Sequence, residues 1–534
     1  MLNKKVAIPI FIFIAALCIL GGMEIQRALS DDKVSEQVRK YESVLNLTSR
    51  YYVDNVDSQK LTEAAIRGML EELDPHSVYI DPDQNKRVRE DFQGSFEGIG
   101  VEFDIINDTL TVISPISGGP SEKLGIIAGD KIVIIDGISA IKITREDVPK
   151  KLRGPKGTKV KVNIIRSGMK QPMDFEITRD KIPLYSVDAS FMYDNDIGYI
   201  KVSRFIATTY DEFSQALTKL KSQGMKMLML DLRGNPGGYM DQAIKMASEF
   251  IPKGRKIVYT KSRIKDFEEL YYSTGGSYTD LPLIILVNEG SASASEIVSG
   301  AIQDLDRGLI VGENTFGKGL VQRQFELADA SSLRITISRY YTPSGRLIQK
   351  PYEGGKYKRN LMNPVDTLEG DNLNHQHDSK DTNRLEFKTI GGRKILGGGG
   401  ITPDYLIKMD TLTSYSVQLR RLNVIYEYVE SYMNSNRNRI QSSYNNYRDF
   451  RNSFEVDNNM LEGLKSTASK KGITYNSDNF SRDLEYLKIF IKSQIARDIW
   501  GNEGSYAVFV STDEQVKKAA SLFDEAAKLM KSNN

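Results

Sequence analysis

The chain of 534 residues contains one cysteine, three histidines and one tryptophan. One cysteine, Cys18, excludes a disulfide framework, so stability has to come from packed cores. Cys18 also lies in an apolar N-terminal run, which excludes a thiol nucleophile. The histidines are poorly placed for chemistry. His76 follows Pro75 and reads as a turn residue, while His375 and His377 stand in a polar stretch with no cysteine or further histidine to complete a metal site. A Ser-His-Asp arrangement therefore lacks its base. Net charge is almost absent as well: 72 Lys and Arg against 70 Asp and Glu leave +2, which makes no electrostatic case for binding nucleic acid.

A long hydrophobic run occurs at the N-terminus. Val6 to Met23 is apolar, with Lys4 and Lys5 before it and Glu24, Arg27, Asp31 and Asp32 after it. Spanning a bilayer takes about 20 apolar residues, and the basic flank stays in the cytoplasm. The expectation is an uncleaved membrane anchor with the rest of the chain outside the cytoplasm, on the periplasmic side. A cleaved signal peptide, giving a secreted protein, is the alternative, although no clear small-x-small cleavage site follows the run. Ala-Ala-Leu ahead of Cys18 departs from the small residue expected before a lipidated cysteine.

Between residues 182 and 352 apolar strands alternate with amphipathic helices, which predicts an α/β layered core. Within it, Leu286-Val-Asn-Glu-Gly-Ser-Ala-Ser-Ala-Ser-Glu296 reads as a strand that breaks at Gly290 and enters a helix near Ser293. Such a corner offers unpaired backbone N–H groups and the positive end of a helix, which suits chemistry that develops negative charge on oxygen. One serine is explained as a helix cap; three alternating with alanine need more. A serine hydroxyl requires a base, and with histidine and cysteine removed lysine remains. Lys318 stands between two glycines in Thr315-Phe-Gly-Lys-Gly-Leu-Val-Gln322, where a tight turn would desolvate it and lower its pKa towards that of a working base.

The two segments together resemble the C-terminal processing (tail-specific) serine peptidases. The resemblance implies a crotonase/Clp-protease-like core, with the middle serine, Ser293, as nucleophile and Lys318 as general base. It also implies that Gln322, one helical turn further on, positions the lysine. Asp231-Leu-Arg-Gly-Asn-Pro-Gly-Gly238 matches the family's glycine-rich turn, implying an oxyanion hole built from the backbone N–H of Ala294 with that of Gly237 or Gly238. No metal or organic cofactor is implied. The likeness covers roughly residues 35–350 and a return at Gly400-Ile-Thr-Pro-Asp404.

Short alternating strands from Gly94 to Lys181, opening on Gly98-Ile-Gly-Val101, resemble a PDZ domain. That implies a loop of Gly98, Ile99, Gly100 and Val101 holding a peptide's terminal carboxylate while the peptide extends the sheet. Polypeptides with free, apolar C-termini are the implied substrates. Arg153, in Leu-Arg-Gly-Pro-Lys-Gly, is a candidate link between this unit and the protease body, and so a candidate gate. The expected organisation is an anchor or signal (1–31), a helical N-terminal region (32–93), the PDZ unit (94–181), the protease core (182–352), a polar insertion (353–396), a return to the core (397–409) and an extra helical C-terminal region (410–534). The last carries apolar helical faces through Leu419, Leu422, Ile425, Tyr426, Leu484, Tyr486, Leu487 and Ile489 but no motif; it is a candidate packing cap, homo-oligomer contact or adaptor platform.

Two rival readings remain. Gly312-Glu-Asn-Thr-Phe-Gly-Lys318 is a near P-loop, but Gly319 replaces the Ser or Thr that would bind Mg²⁺, and a strand rather than a helix follows. A non-catalytic PDZ scaffold on a protease-like fold predicts loss of the nucleophile or base, and both are present.

Overall fold

Ile197–Val202, Met227–Asp231, Leu283–Val287 and Leu309–Gly312 are buried at nearly every position, the pattern of strands covered on both faces. In the computed structural model, which describes residues 33–166, 169, 171–353, 356–357, 370–371 and 384–532, these four strands pair in parallel in that order. Val187–Met192 joins antiparallel at one edge. Tyr405–Leu406 joins parallel beside Leu309–Gly312. The expected anchor (1–31) and most of the insertion, with His375 and His377, lie outside the described residues. No helix among the described residues is long and apolar enough to cross a membrane.

Helices Thr209–Ser222, Met240–Ser248 and Ala294–Asp304 cover one face of the sheet. Phe205, Phe213, Leu217, Phe250 and Ile297 fill the space between them and the strands. The other face carries Phe191, Tyr199, Met229, Ile284 and Leu286, and it is covered by Ala507, Val510, Val516, Ala519, Leu522 and Phe523 from the C-terminal region. The last helices, Glu514–Ser521 and Phe523–Ser532, thus supply the third layer of the core. Helical periodicity located this region without saying what it covers. Its own second cluster includes Leu419, Ile425 and Leu487, whereas Leu422 faces outward.

The inserted β unit has its own core of Ile99, Leu110, Val112, Ile132, Val160, Ile164 and Ile177. Both of its ends enter through one two-stranded stem, Ser95–Gly98 antiparallel to Asp180–Pro183. Val101–Ile106 is the end strand of its sheet. Phe103 and Ile105 on that strand pack inward. The alternate residues meet the C-terminal helices: Glu102 accepts from Arg497 at 2.6 and 2.8 Å, and Asp104 accepts from Asn423 at 2.8 Å. Lys131 pairs with Glu430 at 3.1 Å nearby.

Residues up to Tyr79 form a separate unit. It holds a helix over 33–51 and a second, Ser58–Glu71, capped by the Asp57 carboxylate. After Pro75, the N–H groups of His76 and Ser77 donate to Asp74 at 2.8 and 3.0 Å, a local turn of the kind expected for His76.

Since Phe523 is 3 % exposed against the sheet, Phe523→Ala should cost about 3–5 kcal/mol in denaturant unfolding. Val34→Ala, at a side chain 66 % exposed, should change stability by less than about 0.5 kcal/mol.

Candidate active site

The strand Leu283–Val287 ends at the corner foreseen from the sequence, and helix Ala294–Asp304 starts immediately after Ser293. The three serines divide by geometry. Ser291 Oγ donates to the Leu232 carbonyl at 2.8 Å and accepts from the Asn288 N–H at 3.0 Å. Ser295 Oγ donates to the Asn235 carbonyl at 3.0 Å. Both are fully buried and act as pins to the glycine-rich turn. Ser293 is only half-buried, and its backbone has φ 54° and ψ −109°, outside the regions a side chain favours. Such a conformation typically costs about 1–3 kcal/mol and persists only where the surroundings impose it.

Much of that imposition comes from Glu296, one turn into the helix and fully buried. Its Oε2 accepts from the Ser293 N–H at 2.8 Å and from the Lys318 N–H at 2.9 Å. Its Oε1 accepts from the Gly317 N–H at 2.7 Å and from Thr315 Oγ1 at 2.5 Å. One carboxylate therefore joins the serine corner to the lysine loop. Burial pushes its pKa up from the ordinary carboxylate range, against the four hydrogen bonds, which favour the charged form. The lysine loop is held further by Lys350 N–H to the Gly317 carbonyl (2.8 Å) and by Gly319 N–H to Gln349 Oε1 (2.8 Å). Lys318 is half-buried. Tyr340, also buried, donates its hydroxyl to the Ser293 carbonyl at 3.1 Å.

The glycine-rich turn lies against the same corner. A side chain at Gly237 would stand 2.8 Å from Ser293 Cβ and 2.9 Å from the Ala294 nitrogen, and one at Gly238 would run into the Phe205 carbonyl. The Gly237 N–H donates to Asn235 Oδ1 at 2.9 Å within the turn. The strand that enters the turn ends on Asp231, which receives Tyr199 Oη at 2.6 Å, Lys201 Nζ at 3.2 Å and the Arg233 guanidinium at 2.5–3.1 Å. Burial alone would push the Asp231 carboxyl up; the Arg233 and Lys201 charges outweigh it and hold the group well below the ordinary range.

Gln322 sits on strand Leu320–Glu326 rather than on a helical turn, and its amide donates to Thr336 Oγ1 at 3.3 Å. That strand also leaves the near P-loop without the helix a phosphate cradle needs. In the β unit, the Ile99 carbonyl accepts from Ser121 Oγ at 2.6 Å, and the Gly100 carbonyl accepts from the Ile116 N–H at 2.9 Å. Across a trans peptide the N–H groups of Gly100 and Val101 point the opposite way, away from those partners. Arg153 donates to Glu90 on helix Pro82–Gln93 at 2.9 Å and lies 4.2 Å over the Phe96 ring of the stem. No role was assigned from the sequence to Glu296, Tyr340, or the Asp231 and Arg233 of the glycine-rich motif, although Glu296 stood in view three residues after the nucleophile candidate, at the capping-box spacing.

Glu296→Gln should cost about 2–4 kcal/mol in chemical unfolding, because the amide turns a donor towards buried N–H groups. Catalytic turnover measured on the folded fraction should fall with it.

Residues 196–354 match Peptidase family S41, 98–177 match the PDZ domain, 22–84 match the activating protease CtpB N-terminal domain, and 415–501 match a family of unknown function. A carboxy-terminal-processing protease of Bartonella bacilliformis is 38% identical over 354 residues, covering 65% of this chain and 81% of the relative. The carboxy-terminal processing protease CtpA of Bacillus subtilis is 36% identical over 351 residues, covering 66% and 74%. The carboxyl-terminal-processing protease of Synechocystis is 37% identical over 310 residues, covering 57% and 72%. With a parallel core, an inserted PDZ domain and likeness at this level across most of a relative's length, the chain belongs to the carboxy-terminal-processing proteases, serine-type peptidases of family S41.

Proposed function

We propose that the chain is an endopeptidase working through a Ser293–Lys318 dyad on exported polypeptides recognised by their C-terminal tails. The observation that supports it most is the shared Glu296 carboxylate, which receives the backbone N–H groups of both Ser293 and Lys318. Ser293 Oγ attacks the peptide carbonyl as its proton passes to the neutral Lys318 amine. The C–N bond then breaks, the lysine returns the proton to the leaving amine, and water releases the acyl group by the same route. Ala294 N–H with that of Gly238 or Gly237 takes the oxyanion, and the Asn235 bond to the Gly237 N–H favours Gly238 for this role. Gln322 orients the lysine.

The tail adds to the end strand Val101–Ile106, and its carboxylate meets the N–H groups in the Gly98–Val101 loop. The apolar segment from Val6 to Met23 supports a location outside the cytoplasm. The PDZ domain gates the site as well as recruiting substrate, since Arg153 ties it to Glu90 on the helix Pro82–Gln93 that precedes it and both its ends share one stem.

Cleavage of an unstructured peptide should vanish in Ser293→Ala and fall at least about 100-fold in Lys318→Ala. Because only the neutral amine accepts a proton, the wild-type rate should climb with pH through the mildly alkaline range; an acid optimum would contradict the dyad. Deleting Gly94 to Lys181 separates gating from tethering. Under gating, the rate at saturating peptide stays about fivefold or more from wild type; full recovery at saturation would mean the domain only concentrates substrate.

A further inference from the structure

The turn that carries Gly237 and Gly238 begins at Arg233, whose side chain is a bridge with two ends. Nε and one terminal nitrogen grip Asp231. The other terminal nitrogen donates to Asp513 at 2.6 Å and to Gln515 Oε1 at 2.9 Å. Asp513 and Gln515 belong to the C-terminal helical region, at the start of helix Glu514–Ser521. Asp513 divides its carboxylate between two tasks: Oδ1 caps that helix through the N–H groups of Gln515 and Val516, while Oδ2 meets the guanidinium. Gln515 is held from behind, its amide donating to the Ile407 carbonyl at 2.7 Å.

Charge explains why the contact matters. Within the protease core Lys201 and Arg233 both bond Asp231, in a site where those three side chains are 10 %, 10 % and 2 % exposed, and the carboxylates of Asp188 and Glu313 bear on Lys201 and Arg233 from further off. An unmatched charge is costly there. Asp513, 11 % exposed, pairs directly with the end of the Arg233 guanidinium that Asp231 leaves unbonded. Lys201 also donates to the Arg233 carbonyl, and the Arg233 N–H donates to Asp231 at 2.9 Å, so the network holds the backbone of the turn as well as its side chains.

We propose that Asp513, with Gln515, is a positioning residue for the oxyanion turn, so that the C-terminal region completes the active site from behind the sheet. Asp513 touches no reacting atom; it fixes Arg233, and Arg233 fixes the turn that sets Gly237 and Gly238 beside Ser293. This rests on the reading of that turn as the oxyanion hole. A donor aimed at charge that appears only in the transition state affects turnover more than substrate binding.

The test is steady-state cleavage of an unstructured peptide by the full chain. In Asp513→Asn, which keeps a good helix cap, kcat per folded enzyme should fall about tenfold with KM within about twofold, and the thermal midpoint should drop as Arg233 loses a buried anion. Asp513→Glu restores the charge and should recover kcat to within about threefold. Gln515→Leu leaves the Asp513 cap intact and should lower kcat about threefold, which keeps the proposal testable if the Asn variant folds poorly. Unchanged kcat in both Asp513→Asn and Gln515→Leu, or a loss that only follows the thermal midpoint and is not restored by Glu, overturns the proposal. Ser293→Ala serves as the separate control: residual cleavage there would refute the reading of the site itself, whatever Asp513 does.

Discussion

The candidate site hangs on a buried carboxylate that accepts four hydrogen bonds from two different segments. Glu296 stands on the helix that the nucleophile candidate begins, and its other bonds reach the loop between Leu309–Gly312 and Leu320–Glu326. A charge in such a place is tolerable only because every lone pair is used. That requirement makes the arrangement all-or-none. If the lysine loop moves, Glu296 loses three of its partners together, so the loop and the corner keep a fixed relation. The unusual backbone of Ser293 is maintained in the same way, held by Glu296 at its N–H and by Tyr340 at its carbonyl.

A second layer of restraint runs behind the sheet. The parallel strands need cover on both faces, and the core's own helices cover one. The C-terminal helices cover the other, and in doing so they reach two functional elements from one body: the glycine-rich turn through Arg233, and the end strand of the PDZ domain through Glu102 and Asp104. The strand on which a tail would assemble thus has one set of side chains in the domain core and the alternate set clasped by the C-terminal region.

The sequence made the core legible because buried parallel strands read as unbroken apolar runs, and the corner legible because Ser and Gly at a strand end have few other uses. It could not rank the three serines without the family resemblance; the structure separates them by their partners, Leu232 and Asn235 for the two pins. Glu296 was hidden because a carboxylate three residues into a helix is also ordinary capping, and its role depends on a loop about twenty residues away. Gln322 was carried over from the family resemblance as lying one helical turn past Lys318, and sequence separation cannot tell a helical turn from a strand that carries a bulge between Val321 and Gln322. The C-terminal contacts were beyond reach for a different reason: Arg233 and Asp513 are 280 positions apart, and nothing local marks an aspartate at a helix start as more than a cap.

That separation has a consequence for the order of events as the protein is made. Chains emerge N-terminus first and fold as they lengthen, so the serine corner and the lysine loop exist long before residue 513 leaves the ribosome. Until it does, Arg233 lacks its ion pair with Asp513, and one apolar face of the sheet is uncovered. If Asp513 positions the turn as proposed, the serine corner is made well before the residues that steady the turn beside it, and full turnover waits on the docking of the C-terminal helices.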